Sequence, residues 1–367
     1  MKIGVLTSSR ADYGIYLPLL RKLKIDDYFQ LEIIAFGTHL SKTHGYTLTN
    51  IAAEGYDVIH EIASLEADDS QKGIAISYGN TVLKFSEFWQ TNSFDLVFCL
   101  GDRFEMSAAV QASIPFGVKL AHIHGGETTL GAIDNIYRHQ ITLASQYHFV
   151  STLEYKTKVE ALTGSSENIF NVGALSLDNM SSFQPLEKSP FLEAFAIKNE
   201  DFALVTFHPE TVAVDANLSY AKHMREALAA ISDTLNIVIT MPNADTLGSV
   251  YRTQLYELKA QIPERIVLIE NFGKVNYFSA MHYAKIMIGN TSSGIIEAAS
   301  FGKYVINVGS RQQGRAHGDN VFDVAFDSKS IIEKTTEALK LPDFEGNNVY
   351  YKSNTANSII KTIQQYD

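Results

Sequence analysis

The chain is short of cysteine, of positive charge and of long apolar runs, and each shortage removes a class of function. Cys99 is the one cysteine in 367 residues, so no intrachain disulfide staples the fold. A lone thiol inside the apolar run Leu96-Val97-Phe98-Cys99-Leu100 suits a reducing cytosol, and it reads as a small core residue. Lysine and arginine number 30 against 41 acids, a net charge of −11, which argues against a general nucleic-acid surface. Mean hydropathy is −0.04, and no apolar run approaches the ~20 residues that a membrane helix needs. The opening, Met1-Lys2-Ile3-Gly4-Val5-Leu6-Thr7, has too short an apolar core for a secretory signal and reads as a first strand. There is no short repeat, low-complexity tract or charged tail. No Gly-x-Gly-x-x-Gly fingerprint is present, so nothing calls for NAD or another cofactor.

What is there is a rhythm. Hydrophobic residues make up 46% of the chain, enough for two cores. Short apolar, β-rich runs alternate with helix-patterned stretches at residues 2–7, 30–36, 57–60, 95–100, 119–124, 147–150 and 169–172. The pattern then repeats at 202–207, 236–241, 265–269, 285–288, 304–308 and 322–326. Continuous apolar strands separated by helices predict parallel sheets covered on both faces, and two such series predict two Rossmann-like, doubly wound α/β domains. The boundary falls at 181–189, where Pro185, three serines and mixed charges interrupt the pattern. The expected division is 1–180, 181–352 and a C-terminal helix, 353–367, packing back on the first domain. Open α/β sheets bind ligands outside the carboxyl ends of their strands, so two facing domains would hold a ligand in a cleft between them.

Candidate chemistry follows the strands. Gly289-Asn290-Thr291-Ser292-Ser293-Gly294 lies between an apolar strand and a helix-like stretch, with hydroxyls where a helix has unpaired N–H groups, a site for a diphosphate. Plain N-capping is the alternative. Glu297, the single charge in Ile295-Ile296-Glu297-Ala298-Ala299, is placed to bind ribose hydroxyls. In Gly101-Asp102-Arg103, Arg103 suits a phosphate through bidentate hydrogen bonds, and Asp102 is either a general base or a helix cap. Ser8-Ser9-Arg10-Ala11-Asp12-Tyr13-Gly14 is a matching feature after the first strand. In His122-Ile123-His124-Gly125-Gly126-Glu127, strand alternation puts both histidines on one face, and the glycine pair lets Glu127 return to the same space. The sequence supplies no convincing third metal ligand, so no metal is expected. His122 reads as a core residue; His124 and Glu127 are the candidates for proton transfer. Downstream, Asp134 and Arg138 stand at i and i+4, with Asn135 and His139 beside them: an exposed ion pair or a cleft-facing surface. His208-Pro209-Glu210 opens the second half, and Arg311 and Arg315 flank Gln312-Gln313-Gly314.

Taken in order, these segments resemble the hydrolysing UDP-N-acetylglucosamine 2-epimerases of sialic-acid biosynthesis, along almost the whole chain. The resemblance implies the glycosyltransferase-B arrangement of two Rossmann-like domains. It implies that Arg10, Gly14, Arg103, His208, Asn243, Thr291, Ser292, Glu297 and Arg311 surround UDP, with the backbone near Asn271 and Phe272 at the uracil. Catalysis maps onto Asp102, His124, Glu127, Asp134 and His208, and Arg138 and His139 fall beside the sugar. Many relatives carry Glu where this chain has His124. The implied partners are a UDP-sugar, UDP, and further copies of the chain in a dimer or tetramer; the implied compartment is the cytoplasm.

The implied reaction has two steps. A base removes the C2 proton as UDP leaves, giving a 2-acetamidoglucal. Water then adds at C1 while a proton returns to C2 from the opposite face, releasing N-acetylmannosamine. Three rival readings stand beside it: the same reaction on UDP-2,4-diacetamido-2,4,6-trideoxyglucose, a non-hydrolysing epimerase, and a UDP-sugar sensor without turnover.

Overall fold

The computed structural model describes all residues except 43–45, 67, 69, 211–213, 243–247 and 367. Its strands are β1 (Lys2–Thr7), β2 (Gln30–Phe36), β3 (Val58–Ile62), β4 (Leu96–Leu100), β5 (Leu120–Ile123), β6 (Tyr147–Val150) and β7 (Ile169–Asn171), followed by β8 (Phe202–Thr206), β9 (Asn236–Thr240), β10 (Ile266–Ile269), β11 (Ile286–Gly289), β12 (Val305–Val308) and β13 (Val321–Val324). They form a seven-stranded sheet in the order β3-β2-β1-β4-β5-β6-β7 and a six-stranded sheet in the order β10-β9-β8-β11-β12-β13. Every pairing in both is parallel. The strand order reverses between β1 and β4 and again between β8 and β11, the switch points where such sheets bind ligands.

Alternation along each strand explains why the runs are apolar throughout. In β2, Leu31, Ile33 and Ala35 enter one core with Ile3 and Val5 of β1. Ile34 and Phe36 enter the core on the other face with Leu6, Val97 and Cys99. A strand covered on both faces has no side left for polar residues. Each aliphatic side chain buried in this way contributes about 1.5–3 kcal/mol. The second sheet is built likewise around Val205, Ile237, Ile288 and Ile306.

The chain divides into two compact units. Unit 1 comprises Met1–Glu127, Asp134–Asn179 and Tyr350–Asp367; unit 2 comprises Thr128–Ile133 and Met180–Val349. Two short pieces therefore stand elsewhere than the sequence pattern places them. Thr128–Ile133 joins unit 2 because the Leu130 amide donates to the Gln313 carbonyl at 3.0 Å and Gly131 lies flat against Ser310 and Arg311. Tyr350 joins unit 1, its hydroxyl 2.7 Å from that of Tyr155 and its carbonyl accepting from the Ala174 amide at 2.9 Å. The C-terminal helix, Thr355–Tyr366, buries Ala356, Ile359, Ile360 and Ile363 in the core beside β1.

Candidate active site

Four residues of unit 1 meet beyond the carboxyl ends of β4 and β5. Arg138 is 1% exposed and lies on the inner face of the helix Asp134–Ala144. One of its guanidinium nitrogens donates to Asp102; the other donates to Glu127 Oε2 at 3.2 Å and to the His124 carbonyl at 3.3 Å. Glu127, 2% exposed, also accepts from Ser151 Oγ at 3.0 Å. His124 Nδ1 stands 2.6 Å from Glu127 Oε1, an arrangement in which the ring N–H at Nδ1 donates to the carboxylate. His124 Nε2 is buried and has no hydrogen-bond partner among the described residues. Asp102 is reachable, its side chain 24% exposed.

The local backbone differs from an extended strand here. β5 ends at Ile123, and His124 adopts φ 66°, a conformation that a non-glycine residue takes only where its surroundings hold it. Alternation therefore does not put His122 and His124 on one face. His122 is fully buried between Thr142 Oγ1 at 3.0 Å and the Gly101 carbonyl at 2.9 Å, and burial pushes its pKa down to about 3.

Other expected residues of unit 1 are placed differently from a simple ligand ring. Arg103 is the first capping residue of the helix Phe104–Ser113. Its fork is already engaged by Glu105, at 3.2 and 2.9 Å, and Glu105 is 1% exposed. Asp102 is thus not the cap. Arg10 is exposed at the start of the helix Arg10–Ile25, and Gly14 lies within that helix. Buried Asp12 fixes the turn before them, accepting from Ser8 N at 2.8 Å, Ser8 Oγ at 2.9 Å and Ser9 N at 3.0 Å. Asp134 and His139 are half-buried on the same helix as Arg138; burial and the neighbouring Arg138 charge lower the His139 pKa.

Unit 2 builds a second cluster at the ends of β8, β11 and β12. Asn290, fully buried, accepts from the His208 amide at 2.7 Å and donates to its carbonyl at 2.8 Å. Its own carbonyl accepts from Gln312 Nε2 at 2.9 Å and from Arg311 Nη1 at 3.5 Å. Gly289 is required by its neighbour: at φ 143° an added Cβ would stand 1.8 Å from the Thr206 carbonyl oxygen. The helix that follows is only Ser292–Ile296, too short for a large dipole, so the anion-binding capacity rests on individual N–H and hydroxyl groups. Thr291 is its capping residue but makes no side-chain cap, and Ser292 beside it is half-buried. Glu297 is 7% exposed where the helix passes into a 3₁₀ turn. Burial pushes the nearby Tyr277 hydroxyl up to about 12, and the Glu297 charge adds to the rise. Asn271 is exposed; Phe272 is buried, its carbonyl accepting from Asn276 at 2.7 Å. Asn243 lies outside the described residues.

A sequence profile described as UDP-N-acetylglucosamine 2-epimerase matches residues 21–364. The chain belongs to that family. It is 33% identical, over 99% of its length and 96% of the relative's, to a protein of Legionella pneumophila named UDP-N,N'-diacetylbacillosamine 2-epimerase (hydrolyzing). It is 29% identical to polysialic acid biosynthesis protein P7 of Escherichia coli, over 100% of its length and 94% of the relative's. The fold matches that of a UDP-N-acetylglucosamine 2-epimerase from Neisseria meningitidis, solved bound to UDP-N-acetylglucosamine, with a TM-score of 0.83 at 16% identity and full coverage of both chains.

Within this epimerase-family chain, the residues that sequence reasoning missed are those that hold others in place. Glu105 occupies the Arg103 fork, and Asn290 and Gln312 tie the strand ends together; Arg138, expected beside the sugar, is buried between Asp102 and Glu127. A lone acid among apolar residues, as in Phe104-Glu105-Met106, was the available signal for the first. Among the described residues no group of three His, Cys, Asp or Glu is arranged to hold a metal ion.

Proposed function

We propose that the protein hydrolyses UDP-N-acetylglucosamine with inversion at C2, releasing N-acetylmannosamine and UDP for sialic-acid synthesis. The observation that carries this reading is the linked set Asp102, Arg138, Glu127 and His124. The reaction needs two proton-transfer groups, and this set supplies a reachable carboxylate and an imidazole. One of the two takes the C2 proton as the C1–O bond breaks and its electrons leave with the UDP β-phosphate. Water then adds to the resulting C1=C2 glycal at C1 and gives its proton to the second group, which delivers a proton to C2 from the opposite face, while the first group releases the proton it took to solvent. Glu127, buried out of reach, acts through His124. Asp134 is assigned to proton transfer during hydration. UDP is assigned to Thr291, Ser292, Glu297, His208, Asn243 and Arg311, with Arg10, Gly14 and Arg103 also against it, and the uracil to Asn271 and Phe272. His139 is assigned to the sugar. Cations and N–H groups at the departing diphosphate stabilise the charge that develops there. A single buried thiol, Cys99, fits a cytoplasmic enzyme.

One finding favours a second substrate. The Legionella relative is named for UDP-N,N'-diacetylbacillosamine, the 2,4-diacetamido-2,4,6-trideoxy sugar. Turnover of the two UDP-sugars side by side decides: a higher kcat/KM for UDP-N-acetylglucosamine supports the first reading, and a higher value for the diacetamido sugar replaces it. Accumulation of UDP-N-acetylmannosamine, with no free sugar, contradicts hydrolysis in both.

A further inference from the structure

Glu210 follows His208 and Pro209 in the chain, and its carboxylate is 2% exposed. It turns away from solvent onto the loop after β12. Glu210 Oε1 accepts from the Ser310 amide at 2.6 Å, and Oε2 accepts from Ser310 Oγ at 2.8 Å. The fit leaves no room beside it: at Gly309, φ 80°, an added Cβ would stand 2.3 Å from Glu210 Oε1. The Glu210 backbone is fixed in turn, its amide and carbonyl each paired with the Asn217 side chain at 2.9 Å. Tyr251 donates its hydroxyl hydrogen to Asn217 Oδ1 at 3.1 Å. On the other flank, the Gln313 carbonyl accepts from Leu130, and Gln312 donates to Asn290. The segment Gly309–Gln313, which carries Arg311, is thus held from both sides.

We infer that Glu210 is a positioning residue for nucleotide binding: its carboxylate clasps Ser310 and so fixes Arg311 and the His208 loop in one arrangement. This rests on the assignment of UDP to His208 and Arg311. A clasp of this kind needs two hydrogen-bonding atoms of the right spacing, one of them an acceptor for the Ser310 N–H, and does not need the negative charge. Gln in place of Glu210 offers its amide oxygen to the Ser310 N–H and its NH₂ to Ser310 Oγ, whose hydroxyl turns to accept. Alanine offers neither, and the Ser310 N–H loses its partner.

The test is calorimetric titration of UDP into the full chain and into Glu210→Gln, Glu210→Ala and Ser310→Ala, with steady-state kinetics alongside. The wild-type titration comes first; absence of UDP binding there overturns the nucleotide assignment itself. With the wild type binding, the clasp predicts that Glu210→Ala weakens UDP affinity by about tenfold or more, Ser310→Ala by a few-fold, and Glu210→Gln by less than about threefold. KM should rise more than kcat falls. UDP affinity in Glu210→Ala equal to wild type overturns the clasp. So does a loss in Glu210→Gln as large as in Glu210→Ala, because it would mean that the charge itself is used. If Glu210→Ala does not fold, Ser310→Ala carries the test, and unchanged affinity there overturns the proposal.

Discussion

His124 Nδ1 lies 2.6 Å from Glu127 Oε1, and the two side chains are 7% and 2% exposed. The pair is anchored at its far end by Arg138, so the Glu127 carboxylate lies between a cation and the imidazole. Glu127 is thereby the partner of the histidine, and proton exchange with a ligand is proposed for the histidine.

Replacing either member should therefore cost turnover and spare nucleotide binding. His124→Ala removes the proton-transfer atom and should lower kcat by about 10²–10⁴. Glu127→Gln should lower it comparably, since an amide NH₂ facing Nδ1 would reverse the tautomer. Steady-state kinetics with UDP affinity measured in parallel checks both. Near-normal kcat in His124→Ala would remove the histidine from the chemistry.

Arg138 is expected to matter for stability as much as for activity. Arg138→Met leaves the buried Glu127 carboxylate and Asp102 without their shared cation, a change worth about 3–5 kcal/mol in comparable buried pairs. Urea unfolding should show that loss, and Glu127→Gln in the same chain should recover part of it. If Arg138→Met unfolds at the wild-type midpoint, the guanidinium is not the hub described.

Acid should weaken the fold through two histidines of β5 and β6. Burial holds His122 at about 3 and His148 at about 4, while an unfolded histidine titrates near ~6.5. Between those limits the unfolded chain binds more protons than the folded one, so stability falls as pH falls through the window and is fully present above it. Each histidine contributes a slope of up to about 1.4 kcal/mol per pH unit. Unfolding free energy from denaturation at several pH values between roughly 4 and 7 should vary less with pH for His122→Gln than for wild type. An equal slope would show that His122 is not held neutral.

The strands and their parallel, doubly wound order were legible because a strand buried on both faces leaves an unbroken apolar run, as at Leu96–Leu100 and Ile286–Gly289. The grouping of Asp102, His124 and Glu127 was legible because each follows a strand end. Arg138 was harder. Its spacing from Asp134 left an exposed ion pair and a cleft-facing surface both open, and it is the tertiary fold that turns it inward to two acids from other segments. His124 was misplaced for a local reason, since period-two alternation holds only while the strand continues and the backbone leaves it one residue earlier. The Glu210–Ser310 contact spans a hundred residues, and no local pattern carries that.

Elimination followed by hydration leaves its mark on C2, which proton NMR of the protein with UDP-N-acetylglucosamine in deuterated water reads. Free N-acetylmannosamine carrying deuterium at C2 is expected, appearing together with UDP. Release of N-acetylmannosamine that keeps its original C2 proton would contradict removal of that proton to an exchanging base, and release of N-acetylglucosamine would contradict inversion altogether.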